Sequence, residues 1–234
     1  DQEKRGLFND DDQKISKRRY FAHRKEGEAK ENWQPLIHHL KNTARLAREF
    51  AAPAQIGEFA FIVGLVHDLG KYSEAFQRRL EGGKPVDHST AGAKELINLL
   101  SGTQYAVFAK LLAFPITGHH SGLLDYGDEI DLEGKSLCAR LKKENLPDFS
   151  AYKTELDLSN LQFPKNLHLR LPNSKIGFSL SFLTRMIYSA LVDADFQETE
   201  TYMSGKKPRG EFEEIPALCQ KLNTYLRQFE HPST

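Results

Sequence analysis

The sequence predicts a mainly α-helical fold, and three observations predict it. Apolar residues recur at three- and four-residue steps in several long segments, as one face of a helix requires. Ser/Thr, Pro and Gly residues stand at the starts and ends of those segments, where they punctuate helices. Neither strand-rich alternation nor an internal repeat is visible. With 234 residues and 39% hydrophobic content, the chain can bury a real core and reads as one large domain.

Residues 1 to 18 are charged and weakly apolar and read as a flexible N-terminal extension, with order beginning near Arg19. In "LIHHLKNTARLAREF", residues 36 to 50, Leu36, Leu40, Ala44, Ala47 and Phe50 share one face of a helix. The segment "AQIGEFAFIVGLVHDLG", residues 54 to 70, is apolar around most of its circumference and therefore central. Gly70 supplies the left-handed residue that commonly closes a helix, which puts His67 and Asp68 in the last turn. "STAGAKELINLL", residues 89 to 100, has a Ser/Thr start and helical spacing. "TQYAVFAKLLAFPITGHH" repeats that spacing until Pro115 and Gly118 interrupt it, leaving His119 and His120 past the break. Between about 121 and 178 the pattern weakens into loops and short helices. It returns in "SLSFLTRMIYSALVDADFQETE", where Leu183, Met186, Ile187, Ala190, Leu191 and Ala194 form a stripe, and residues 211 to 229 make a last helix.

Composition removes several functions. The 32 basic and 32 acidic residues cancel, so a polyanion would be met only by local clusters such as "KRRYFAHRK" or "QRRL". Cys138 and Cys219 fit neither a disulfide framework nor a CxxC zinc site and suggest a reducing compartment. No apolar stretch reaches the roughly 20 residues that span a bilayer, and the polar N-terminus lacks a signal-peptide core, so a cytoplasmic protein with no membrane association is expected. No GxxxxGK[ST] phosphate loop is present, so the chain is not itself an ATP-driven motor.

The histidines are the chemical signal. A single one is usually a surface or packed residue, and clustering changes that. Successive helical residues turn by about 100°, so of His38 and His39 only His39 faces the apolar side, while His38 falls beside Asn42 and Arg45. His67 and Asp68 end the central helix, His88 stands at a helix start, and His119 and His120 lie between glycines in "TGHHSG". Imidazoles and carboxylates without thiolate select Mn, Fe, Co, Ni or Zn over Mg and Ca. Five histidines plus carboxylates exceed the four ligands of a closed zinc site, so two divalent transition-metal ions bridged by Asp68 is the economical arrangement.

"HDLGK" at 67 to 71, with an upstream histidine and a later "ADF" helix, resembles the HD metal-dependent phosphohydrolase superfamily. With "RYFAH", "WQPLIHHL", "DHSTAGAKEL", "GHHSG" and "SALVDADFQETE" in order, the chain is similar to the HD nuclease domain of the type I CRISPR-associated nuclease-helicase. The resemblance implies an HD-domain helical fold over residues 19 to 234 with a loop-rich insertion around 121 to 178, either the N-terminal part of a longer nuclease-helicase or a stand-alone nuclease subunit with the same motifs. It implies that His39, His67, Asp68 and Asp195 hold one ion and that Asp68, His88, His119 and His120 hold the other. Asp193, nearer the apolar stripe than Asp195, is the reserve for the last ligand.

The implied activity is endonucleolytic hydrolysis of single-stranded DNA in CRISPR interference, an antiviral defence, with Asp68 and Lys71 as catalytic residues. Lys71 would neutralise charge developing on the phosphate. Implied partners are single-stranded DNA, a helicase region in cis or in trans and an RNA-guided surveillance complex. Two other readings stay open at this point: a nucleotide or cyclic-nucleotide phosphohydrolase of the same superfamily, and a non-catalytic HD module that binds a partner.

Overall fold

The computed structural model describes residues 20–128, 130–131, 136–163, 175–207 and 213–229. The expected flexible extension, residues 1 to 18, lies outside the described residues, as do parts of the 121 to 178 segment. The first elements are short strands, β1 (Phe21–His23) and β2 (Gln34–Pro35), paired antiparallel with Phe21 opposite Pro35. Eight helices follow among the described residues: α1 (Leu36–Ala51), α2 (Gly57–Val66), α3 (Glu74–Leu80), α4 (Ser89–Leu100), α5 (Ala106–Gly118), α6 (Leu137–Lys142), α7 (Ile176–Ser204) and α8 (Ile215–Leu226). The fold is mainly α, as the spacing predicts.

Helix α2 is the centre. Its residues Phe59 to Val66 are all buried, and it packs against α1, α4, α5 and α7. Helix α1 lies between α2 and α7 with Leu36, Leu40, Ala44 and Ala47 inside, and α4 pairs with α5. Leu183, Ile187, Ala190, Leu191 and Ala194 of α7 are also buried. Phe50 and Met186, each at the edge of its stripe, are exposed instead.

Three local expectations are corrected. Helix α2 ends at Val66, and a 3-10 helix, Leu69–Tyr72, follows, so His67 and Asp68 occupy the junction rather than a last α-turn. Gly70 is not left-handed, since it is absent from the positive-φ residues. Glycine is needed there for closeness: a Cβ on Gly70 would stand 2.3 Å from the His88 carbonyl oxygen. Helix α5 also continues through Pro115 to Gly118. Proline forfeits one ladder hydrogen bond, and Thr117 Oγ1 binds the Ala113 carbonyl at 2.8 Å in the same turn.

Candidate metal centre

Five elements deliver side chains to one point. His39 comes from the first turn of α1, His67, Asp68 and Lys71 from the α2 exit, and His88 from the residue that precedes α4. His119 and His120 follow α5, and Asp195 lies on α7. Asp68 is the hub. Its Oδ2 faces His39 Nε2 at 3.4 Å and His67 Nε2 at 3.3 Å. Its Oδ1 faces His88 Nε2 and His119 Nε2, each at 3.4 Å. Asp195 Oδ1 lies 3.3 Å from His39 Nε2 and 3.7 Å from His67 Nε2, and His120 Nε2 lies 2.9 Å from His88 Nε2.

The outer nitrogens explain why the inner ones converge. His67 Nδ1 is 2.8 Å from the Gly64 carbonyl, His119 Nδ1 is 2.6 Å from that of Ile116, and His88 Nδ1 is 3.2 Å from that of Val86. A carbonyl only accepts, so each Nδ1 carries the proton and donates it. That tautomer aims each Nε2 lone pair inward, the usual outer support of a metal-bound imidazole. His39 Nδ1 differs, lying 2.6 Å from the Glu198 carboxylate.

The donor set fits metal ions. Among the described residues, His39 Nε2, His67 Nε2, His119 Nε2 and Asp68 Oδ1 are buried without a hydrogen-bond partner. Orphaned buried polar atoms are costly and are rare unless an ion or water joins them. Ligands placed about 2.0–2.2 Å from an ion lie roughly 3.0–3.5 Å from one another, the spacing found around Asp68. Asp68, His88, His119 and His120 form one group that could hold an ion, and His39, His67 and Asp68 form another.

Charge around the hub is strong. Burial acts against the ionised Asp68, yet Lys71, His67, His119 and His39 outweigh it and hold its carboxyl well below the usual carboxylate range. Burial likewise disfavours a charged His39 and His67, but the carboxylates facing them push these rings up to about 10 and about 9. In the metal-free protein, then, a proton competes with a metal for those lone pairs. His88 is lowered to about 4, mainly by burial, and is neutral at pH 7. Lys71 is a buried ammonium 2.6 Å from Asp68 Oδ2, with the Phe76 ring 5.4 Å away.

The structure thus gathers His39, His67, Asp68, His88, His119, His120 and Asp195 around one point, with Lys71 against it. His38 is exposed, and so is Asp193, whose Oδ1 accepts from Gln197 Nε2 at 2.9 Å. Asp195, not Asp193, faces the histidines. Two residues escaped the reading of the sequence. His23 ends β1 with its ring 5.0 Å from that of His39, and it forms a further potential ligand group with His39 and Asp195. "RYFAH" contains it, but a three-residue strand has no periodicity to show which way it faces. Glu198 follows Asp195 by three residues, which puts both on one helix face.

The family model "Cas3, HD domain" matches residues 22–175, which include every site residue above except Asp195 and Glu198. No curated protein matches the chain. The match covers most of the chain, and the fold and the His/Asp cluster agree with it: the chain belongs to the Cas3 HD-domain family, metal-dependent HD hydrolases with a nuclease character and a CRISPR context.

Proposed function

We propose that the chain is a metal-dependent endonuclease that hydrolyses phosphodiester bonds of single-stranded DNA in CRISPR interference. Family membership supports a metal-dependent hydrolase acting on nucleic acid. The observation that carries the reading is the division of labour at Asp68, whose Oδ2 faces one histidine pair and whose Oδ1 faces another. On this reading His39, His67, Asp68 and Asp195 hold one ion, and Asp68, His88, His119 and His120 hold the second.

When bound, two such ions polarise the scissile phosphate, lower the pKa of a water and stabilise the leaving oxygen. The chain's own residues supply the rest. The Gly64, Val86 and Ile116 carbonyls fix the ring orientations, so the donors are in place before substrate arrives. The Lys71 ammonium, anchored on Asp68, lends positive charge to the site as negative charge grows on the phosphate. His120 is exposed and the Asp195 side chain is 17% exposed, whereas His39, His67 and Asp68 are sealed, so a strand enters past His120 and Asp195.

A summed charge of zero gives little long-range attraction for DNA. Arg78 and Arg79 of "QRRL" are exposed beside the 3-10 helix that carries Lys71, while "KRRYFAHRK" lies partly outside the described residues. Delivery of the strand by a helicase region and an RNA-guided surveillance complex fits that modest charge. The test is incubation of metal-stripped protein with circular single-stranded DNA, with Mn, Co, Ni or Mg resupplied, beside Asp68→Ala and a panel of nucleotides. Transition-metal-dependent nicking that vanishes in Asp68→Ala supports the proposal. Turnover of nucleotides with intact DNA overturns it in favour of a nucleotide phosphohydrolase.

A further inference from the structure

The four inner imidazoles are not supported alike. His67, His88 and His119 rest on neutral carbonyls, whereas His39 rests on a carboxylate. That carboxylate, Glu198, is only 6% exposed and is held by more than His39. Gln34 Nε2 donates to both of its oxygens, at 2.7 and 2.8 Å, and Asn42 Nδ2 donates to one at 3.3 Å. A buried carboxylate oriented from β2 and from two positions of α1 is costly to keep charged unless it acts on what it touches. It touches Nδ1 of a candidate ligand.

We propose that Glu198 is a positioning residue that fixes His39 and makes the ion on the His39 side the tighter bound of the two. A carboxylate accepting from Nδ1–H raises the basicity of Nε2 and locks the ring. It also adds negative charge to one side only. Once its imidazoles have given up their protons, as metal ligands must, the His39 side holds Asp195 and Glu198 besides the shared Asp68, and this exceeds the single positive charge of Lys71 on the same Asp68 oxygen. The other side holds the shared Asp68 and neutral imidazoles. Asp87, the carboxylate next to His88, is instead bound to Lys143, Arg140 and Thr90. The two positions therefore fill in order, the His39 side first.

The inference rests on the two-ion reading above, and its test separates the two. Metal-stripped full chain is titrated with Mn2+ while the electron paramagnetic resonance of free Mn2+ is followed. Wild type is expected to show a tight and a weak class, and Glu198→Gln, nearly isosteric, is expected to weaken the tight class by about 10–100-fold and leave the weak one alone. In the Co2+-loaded protein, one exchangeable Nδ1–H resonance, that of His39, should shift in Glu198→Gln while the others stay, which a merely structural residue would not produce. Should Glu198→Gln fail to fold, Gln34→Leu, which loosens the carboxylate, should weaken the tight class in the same direction. An unchanged tight class in a folded variant, or a single class of equal sites in wild type, overturns the inference alone. A wild type that takes up no Mn2+ overturns the metal reading and this inference with it.

Discussion

The close approach of α2 and α4 that spaces His88 from His67 is open to a one-atom test at Gly92. A Cβ built on Gly92 would lie 1.9 Å from the Val66 carbonyl oxygen and 2.9 Å from its carbon. Backbone cannot rotate away as a side chain can, so α4 and α2 must part by about 1.5 Å to reach an ordinary 3.4 Å contact. His88 precedes α4 and His67 follows Val66, so the separation opens between two of the Asp68 contacts. Overpacking of this kind costs about 3 kcal/mol, which in a chain of this length lowers the Tm by about 6–12 °C. A misplacement of about 1 Å at reacting groups costs on the order of 100-fold in rate. The assay is thermal melting of metal-stripped Gly92→Ala with Mn2+ binding and DNA cleavage alongside. Gly177→Ala serves as the control, because its Cβ would meet nothing within 4 Å. A Gly92→Ala protein that melts and binds Mn2+ like wild type would refute the close approach of α2 and α4 as the device that sets the site.

Lys71→Met removes the buried cation that faces Asp68 at 2.6 Å. Cleavage should fall by about 100–1,000-fold with Mn2+ still bound, and metal-free protein should lose about 1–3 kcal/mol because the buried Asp68 carboxylate then keeps only its histidine partners. Wild-type cleavage by this variant would remove Lys71 from the chemistry. Asp87 ties the start of α4 to α6. Although burial works against its charge, Lys143 and Thr90 hold its carboxyl below the usual carboxylate range. A depressed folded value means that the stabilisation is present above about pH 4 and is lost as the pH falls through the folded value. Asp87→Asn should therefore destabilise by about 1 kcal/mol or less at pH 7, with the gap from wild type closing below pH 4 in urea titrations. A gap that is constant from pH 7 to pH 3 would contradict the ionic assignment.

Helical spacing carried most of this architecture. Leu36, Leu40, Ala44 and Ala47, or Leu183 and Ile187, announce a buried face because each repeats at the helical period against polar neighbours. His39 was legible for a similar reason, since it falls on the inner side of such a face and His38 does not. What the sequence hid depends on distant partners. Gly70 reads locally as a helix stop, whereas its need for glycine comes from His88, eighteen positions away. Pro115 reads as a break, but only one hydrogen bond of the α5 ladder is at stake. Glu198 could be placed on the Asp195 face by its three-residue offset, yet its partnership with His39, Gln34 and Asn42 requires α1 and β2 to lie across from α7. His23 sits on a three-residue strand, too short for any period to orient it.

Asp68 as a carboxylate shared by two ions is the claim on which the chemistry rests, and metal content tests it most directly. Wild type, Asp68→Ala and His38→Ala are loaded with Mn2+, desalted and measured for ions per chain. The account predicts two for wild type and for His38→Ala, whose side chain is exposed, and loss of both for Asp68→Ala. An Asp68→Ala protein that is folded and still carries two ions per chain would contradict it.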